Sequence, residues 1–299
     1  MIEGLTAELE AGGIPGARHE AERLLSHVLG VSRSELLLRA ESPVGPEDAG
    51  RIAAVSGRRL SGVPLQHIEG TVAFRDLVLL CDGRALVPRP ETEQLVQRVV
   101  EWASGSGSTN GVRRVGRPVR STPPAPPLSA ALDIGTGGGA IALSLLQEGV
   151  VSRAVAVDVS RSALEQARQN ATRAGLEERI DFREVAASPW EVVGPDETFD
   201  VIVSNPPYIA DEEVETLPTE VRDHDPRVAL SGGTDGLDLV REIAAGAPSH
   251  IRSGGGLFLE VGAGQGERVL GLLEDSGSWS TVRIVTDLSG RGRFVIAFG

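Results

Sequence analysis

Apolar positions in the first 72 residues recur every three or four places, and that spacing predicts helices. Over 17–29, Ala21, Leu24, Leu25, Val28 and Leu29 fall on one face, and Gly30 supplies a stop. A second helix is predicted over 34–40, carrying Leu36, Leu37 and Leu38. A third opens at Pro46, with Ile52, Val55 and Leu60 at helical intervals. This helical unit, 1–72, is too small for a deep core of its own and is expected to lean on its neighbour. The pattern then changes. Val72-Ala73-Phe74 and Leu77-Val78-Leu79-Leu80 flank Arg75-Asp76. Asp82-Gly83 signals a turn, and Ala85-Leu86-Val87 follows. A β-hairpin connector is predicted over 73–88. Pro90 suits a first helical position, with Glu91 and Glu93 in the favoured first turn, and this helix is expected to reach Trp102.

From residue 129 short apolar runs of buried-strand type alternate with helical patterns. Strands are predicted at 131–134, 154–157, 180–183, 201–204, 257–261, 281–285 and 294–298. Helices are predicted at 140–147, 160–174, 237–245 and 265–274. Repeated β-α units of this length predict an α/β, Rossmann-like fold with seven strands in a mostly parallel sheet. Only 287–293 joins the last two strands. That is too short for a crossover, so they are expected to pair antiparallel. Between the two regions lies 104–127, which opens on Ser104-Gly105-Ser106-Gly107-Ser108 and closes on Pro123-Pro124-Ala125-Pro126-Pro127, with Arg113, Arg114, Arg117 and Arg120 between. Such a composition cannot bury a core, and a flexible insertion is expected.

Composition narrows the chemistry. The formal net charge of -13 is the reverse of what a protein gripping long nucleic acid usually carries. Every basic residue among the 29 is arginine, which removes lysine-based covalent catalysis. One cysteine, Cys81, and five scattered histidines leave no disulfide framework and no metal site in prospect. No apolar run is long enough to cross a bilayer, and Met1-Ile2-Glu3-Gly4 lacks the blocks of a secretory leader. A cytoplasmic setting is expected.

Two loops carry the candidate chemistry. Leu132-Asp133-Ile134 runs into Gly135-Thr136-Gly137-Gly138-Gly139 and then a helix, a turn that lets a ligand approach the backbone closely. Asp158 ends the next strand, where an acidic residue takes a ribose hydroxyl in dinucleotide folds. Together these suggest an adenosine-type cofactor, without choosing between a nicotinamide and S-adenosyl-L-methionine. Asn205-Pro206-Pro207-Tyr208 follows the strand at 201–204. The prolines fix φ and remove backbone donors. What remains is an amide oxygen and carbonyls beside an aromatic ring, which suits a planar nitrogen that carries hydrogens.

On these motifs the chain resembles the PrmC/HemK family, the protein-(glutamine-N5) methyltransferases that act on class I peptide chain release factors. The resemblance rests on several blocks and spans nearly the whole chain outside 104–127. They are Leu86 through Glu93, Asp133 through Leu145, Asp158-Val159-Ser160 with Ala163-Leu164 and Asn170, Val201 through Ile209, Ala229 through Gly233 with Asp235-Gly236-Leu237, and Glu260-Val261-Gly262 with Gln265. It implies a methyltransferase domain at 89–299 and a substrate-recognition role for 1–72. It implies that Gly135, Thr136, Gly137, Gly138, Gly139, Asp158, Trp190 and Asn205 bind S-adenosyl-L-methionine, with Trp190 against the adenine. It further implies that Asn205, Pro206, Pro207 and Tyr208 hold the glutamine, with Asn205, Pro206 and Tyr208 catalytic. No general base is assigned, and Glu260 is expected to orient other groups. Asp225-Pro226-Arg227 departs from the family's Glu-Pro-Arg, which puts any bond carried by that carboxylate in question. Three other readings stay open: a glutamine of a ribosomal protein or a nucleobase amine as acceptor, a release-factor or ribosome-binding module without catalysis, and a nicotinamide-dependent oxidoreductase.

Overall fold

The structure, a computed structural model, describes residues 1–39, 43–106, 113–115 and 127–299, with only the backbone described at 113–115. Five helices form the N-terminal unit: α1 (Ile2–Ala11), α2 (Ala17–Leu29), α3 (Arg33–Leu38), α4 (Pro46–Leu60) and α5 (Leu65–Glu69). They enclose a small core around Leu9, Leu24, Leu25 and Leu36. A reciprocal capping box starts α3, with the Ser32 side chain accepting from the Glu35 amide and the Glu35 carboxylate accepting from the Ser32 amide. Of the three leucines expected on this helix only Leu36 is buried, because consecutive residues cannot share a helix face; Leu38 is 88% exposed. Residue 40, the predicted end of α3, lies outside the described residues.

The connector is a hairpin of β1 (Thr71–Phe74) and β2 (Leu77–Leu80), paired antiparallel. It turns at Arg75-Asp76, and Arg75 sits in the left-handed region at φ 50°. The Arg75 amide donates to Glu93 at 2.9 Å, and its guanidinium donates to Glu148 at 2.7 Å, which fixes this unusual backbone. The Asp82-Gly83 turn leads into an irregular segment and not a further strand. Next come α6 (Pro90–Ala103) and β3 (Arg113–Val115).

The remaining elements are β4 (Leu128–Ile134), α7 (Ala140–Gln147), β5 (Val151–Asp158), α8 (Arg161–Ala174), β6 (Ile180–Glu184), β7 (Phe199–Ser204), three short helices α9 (Asp211–Val214), α10 (Thr219–Arg222) and α11 (Arg227–Leu230), then α12 (Asp238–His250), β8 (Ile251–Glu260), α13 (Gly266–Asp275), β9 (Thr281–Thr286) and β10 (Gly292–Phe298). The main sheet runs β3-β9-β10-β8-β7-β4-β5-β6. All seven expected strands are present, and β9 and β10 pair antiparallel as expected. The eighth strand is a correction. Arg113–Val115, inside the segment expected to be a flexible insertion, adds an antiparallel edge to β9. The rest of that expectation, including Arg117 and Arg120, falls outside the described residues. Helices α6, α7 and α8 bury one face of the sheet through Leu95, Val99, Leu143 and Ala171. Helices α12 and α13 bury the other through Val240, Ile243, Val269 and Leu273. Among the described residues no helix is long and apolar enough to cross a membrane.

This order places the functional site. From β4 the chain winds outward to β5 and β6, then returns to lay β7 on β4's other side. The loops after β4 and β7 therefore diverge from a common point, and open α/β sheets bind ligands in that crevice.

Candidate functional site

A cavity of about 350 Å³ opens at this switch point, within the range usual for small-molecule sites. Gly135, Thr136, Gly137, Gly138, Asp158, Asn205 and Pro207 all line it. Two loops separated by some 70 positions in sequence thus share one space. The glycine loop needs its glycines, since Gly137 has φ 56°. Its amide donates to Asp158 Oδ2 at 2.8 Å, and the Ser160 amide donates to Oδ1 at 2.8 Å. Each carboxylate oxygen keeps a lone pair for a ligand hydroxyl. Burial pushes the Asp158 carboxyl up, while these backbone donors pull it back.

Side chains from elsewhere hold the glycine loop. Asn170 on α8 donates to the Gly138 carbonyl at 2.9 Å and accepts from the Leu80 amide at 2.7 Å. The same side chain thus ties the loop to the hairpin. Beneath it Asp133, wholly buried, accepts from Thr136 Oγ1 at 2.7 Å and from the Ala142 amide at 3.1 Å. Among the described residues its Oδ1 has no partner, and burial pushes its carboxyl up to about 7.

The second loop is clasped with equal care. Gln265 donates to the Tyr208 carbonyl at 2.8 Å and accepts from the Gly262 amide at 2.8 Å. A Cβ at Gly232 would stand 2.4 Å from the Pro207 carbonyl oxygen, and one at Gly236 2.3 Å from that of Tyr208. Only glycine lets the chain pass so close. Asn205 Nδ2 donates to Thr92 Oγ1 at 3.0 Å, and Thr92 Oγ1 donates to Glu260 Oε2 at 2.9 Å. Arg293 donates to Glu260 Oε1 and to the Tyr208 hydroxyl, each at 3.1 Å, and lies over the Tyr208 ring at 5.1 Å. Glu260 is fully buried, and burial pushes its carboxyl up to about 7 despite the opposing pull of Thr92 and Arg293.

Four residues expected in the site stand apart from the cavity wall. Gly139 turns the chain into α7 and packs on Leu143 and Ala167. Pro206 is buried under the loop that Pro207 presents. Tyr208 faces Arg293 instead. Trp190 also stands off the cavity wall: its indole stacks on His250 at 5.0 Å and its Nε1 donates at 2.8 Å to the carbonyl of Glu242, which does line the cavity. Val159, Val185, Ala187 and Pro189 supply the apolar wall where the aromatic was expected.

Asp225 carries a bond despite its shorter side chain. It accepts from Arg89 at 2.7 Å and from the Val87 amide at 3.3 Å. Thr92, Arg293 and the Arg89–Asp225 pair were given no role by sequence reasoning. A threonine between two glutamates in the first turn of α6 was the available signal for Thr92.

Comparison with known proteins adds two matching family models. One, described as the PrmC N-terminal domain, covers residues 1–70, and one described as a methyltransferase domain covers residues 131–224. The release factor glutamine methyltransferase of Cereibacter sphaeroides is 39% identical over 296 residues, spanning 99% of this chain and 96% of that protein. That of Deinococcus radiodurans is 38% identical over 297 residues, again 99% and 96%. That of Geobacter sulfurreducens is 38% identical over 277 residues, 93% and 88%.

Proposed function

The chain belongs to the release factor glutamine methyltransferase family, and from that premise we propose that it methylates the side-chain nitrogen of the glutamine in the Gly-Gly-Gln motif of class I peptide chain release factors, with S-adenosyl-L-methionine as donor. The observation that carries this reading is the single cavity in which Asn205, pinned by Thr92, faces the glycine loop and Asp158.

The cavity's chemistry suits the donor. Three carboxylates, Asp158, Asp238 and Glu242, line it, and the one arginine, Arg84, is tied to Asp82 at 2.7 Å. Such a wall favours a cationic ligand over an anionic dinucleotide. Asp158 would take the ribose hydroxyls, the glycine loop the methionine end, and Val159, Val185 and Pro189 the flat base. When bound, the cofactor supplies a methyl group already activated by a sulfonium. The protein's own task is then the acceptor. An amide nitrogen shares its lone pair with its carbonyl, as the roughly 18–20 kcal/mol barrier of peptide rotation measures. Asn205 Oδ1 would bind one of the two amide hydrogens; the Pro206 carbonyl, which stands off the cavity wall, would have to turn toward it to take the second. This orients the nitrogen and favours a pyramidal, partly positive transition state. Placement supplies much of the rest. No strong base is required, because the methylated amide sheds its proton to water afterwards. The acidic net charge favours a protein acceptor over a nucleobase, and a translation-factor substrate fits a cytoplasmic setting.

Calorimetric titration tests the cofactor half of this reading: S-adenosyl-L-methionine binds and a nicotinamide dinucleotide does not. Transfer of a labelled methyl group to an intact release factor, abolished when its Gly-Gly-Gln glutamine is replaced, tests the other half. Labelling that survives the replacement would send the search to another acceptor.

A further inference from the structure

The Thr92 hydroxyl stands between two groups that each require a particular end of it. When ionised, Glu260 can only accept, so the hydroxyl's one hydrogen then goes to its Oε2 at 2.9 Å. What remains on Thr92 Oγ1 is lone pairs. The group facing it from Asn205 must therefore be a donor, and Nδ2 is there at 3.0 Å. An asparagine amide has two nearly isosteric orientations, and this chain of bonds selects one. The opposite orientation would set Oδ1 against an oxygen with no hydrogen left to give. Glu260 cannot turn away, because Arg293 on β10 holds its other oxygen at 3.1 Å and the side chain is wholly buried. The three residues come from α6, β8 and the loop after β7, so the arrangement exists only in the folded sheet.

We propose that Thr92 and Glu260 are positioning residues for methyl transfer: Glu260, through the Thr92 hydroxyl, sets the polarity of the Asn205 amide so that Oδ1, and not Nδ2, faces the substrate nitrogen. The inference rests on Asn205 being the acceptor for that nitrogen. Its energetic content is simple. A flipped amide presents a donor to a donor, which removes one acceptor from the transition state and leaves two N–H groups in opposition. The competing explanation is that the network merely staples α6 to the sheet. A staple acts on stability and is indifferent to what stands at 205.

A double-mutant cycle on kcat, with intact release factor at saturation, separates the two. Thr92→Val keeps the shape and removes the hydroxyl. It should lower kcat by about ten- to a hundredfold, the scale of losing one preorganised polar group. Affinity for S-adenosyl-L-methionine by calorimetry should stay within a few-fold, and Thr92→Ser should recover most of the rate. In an Asn205→Ala background Thr92→Val should slow the reaction no further. If the valine variant folds poorly, Thr92→Ala completes the same cycle. An equal loss in both backgrounds would overturn the positioning role while leaving Asn205 as acceptor. A parent-like rate for Asn205→Ala alone would remove the acceptor reading itself, and the positioning role with it.

Discussion

In the proposed reading Asn205 concentrates the chemistry in one amide group, whose nitrogen is engaged by Thr92. Asn205→Ala should bind S-adenosyl-L-methionine within several-fold of the parent, since the proposal gives most cofactor contacts to the glycine loop and Asp158, yet transfer methyl roughly a hundredfold or more slowly. Asn205→Asp keeps an acceptor oxygen and should fall between the two; single-turnover rates check both. Glu260 adds a pH dependence. Its carboxyl is pushed up to about 7 by burial, with Thr92 and Glu91 facing it from α6 and Arg293 from β10. Above about 7 it only accepts, and Asn205 is held as described. Below that it gains a hydrogen, can donate to Thr92, and frees the amide to turn. The parent's kcat should therefore decline as pH falls through about 7, and Thr92→Val should lack that limb; a pH–rate profile of each decides it. Stability runs the other way for both buried carboxyls. Asp133 and Glu260 have folded values raised above their unfolded ones, so their contribution is fully present below the unfolded values and is lost as pH rises through about 7. Asp133→Asn should flatten that slope in denaturant titrations taken between about pH 4 and 8.

Elements bring these residues together, and here sequence and structure can be weighed against each other. Apolar runs identified β4, β5 and β7, because strands buried on both faces leave no polar alternation to mislead. The first half of β8 went unpredicted, since Gly254, Gly255 and Gly256 carry no apolar side chain to mark a strand; a Cβ at Gly255 would meet the Asp200 carbonyl at 2.8 Å, so close strand packing demands glycine there. Helix α12 runs past its predicted end at 245, through Pro248, to His250. In the site, the glycine loop and Asn205 were legible because their composition states their chemistry. Thr92 was not, since its partner Asn205 lies 113 positions away. The Arg89–Asp225 pair, joining the start of α6 to the segment between α10 and α11, has an element-scale consequence. Asp225→Ala should destabilise the fold, by less than the about 3–5 kcal/mol of a fully buried pair because Arg89 is 33% exposed and can reach water. It should also loosen the cavity wall at Val228 and Ala229, read as faster amide exchange across α11.

At the scale of the molecule, the N-terminal unit is joined to the segment that covers the site. Arg59 on α4 is 3% exposed and donates to Glu220 on α10 at 2.9 Å while pairing with Glu20 on α2. The residues that line the cavity nonetheless lie outside this unit, which has its own core. Deleting residues 1–70, which leaves the hairpin whole, should spare S-adenosyl-L-methionine binding and sharply reduce methylation of intact release factor, while a short Gly-Gly-Gln peptide loses much less. Comparable losses for factor and peptide would mean that the unit supports the fold and not recognition.

Placement of a methyl group on one glutamine nitrogen by this site is checked by fragmentation mass spectrometry of a release factor incubated with the protein and S-adenosyl-L-methionine, run beside the Asn205→Ala variant. The expected result is a mass increase of one methyl group in place of hydrogen, confined to the Gly-Gly-Gln glutamine and nearly absent with the variant. An unmodified glutamine, or a methyl group on another residue, would contradict it.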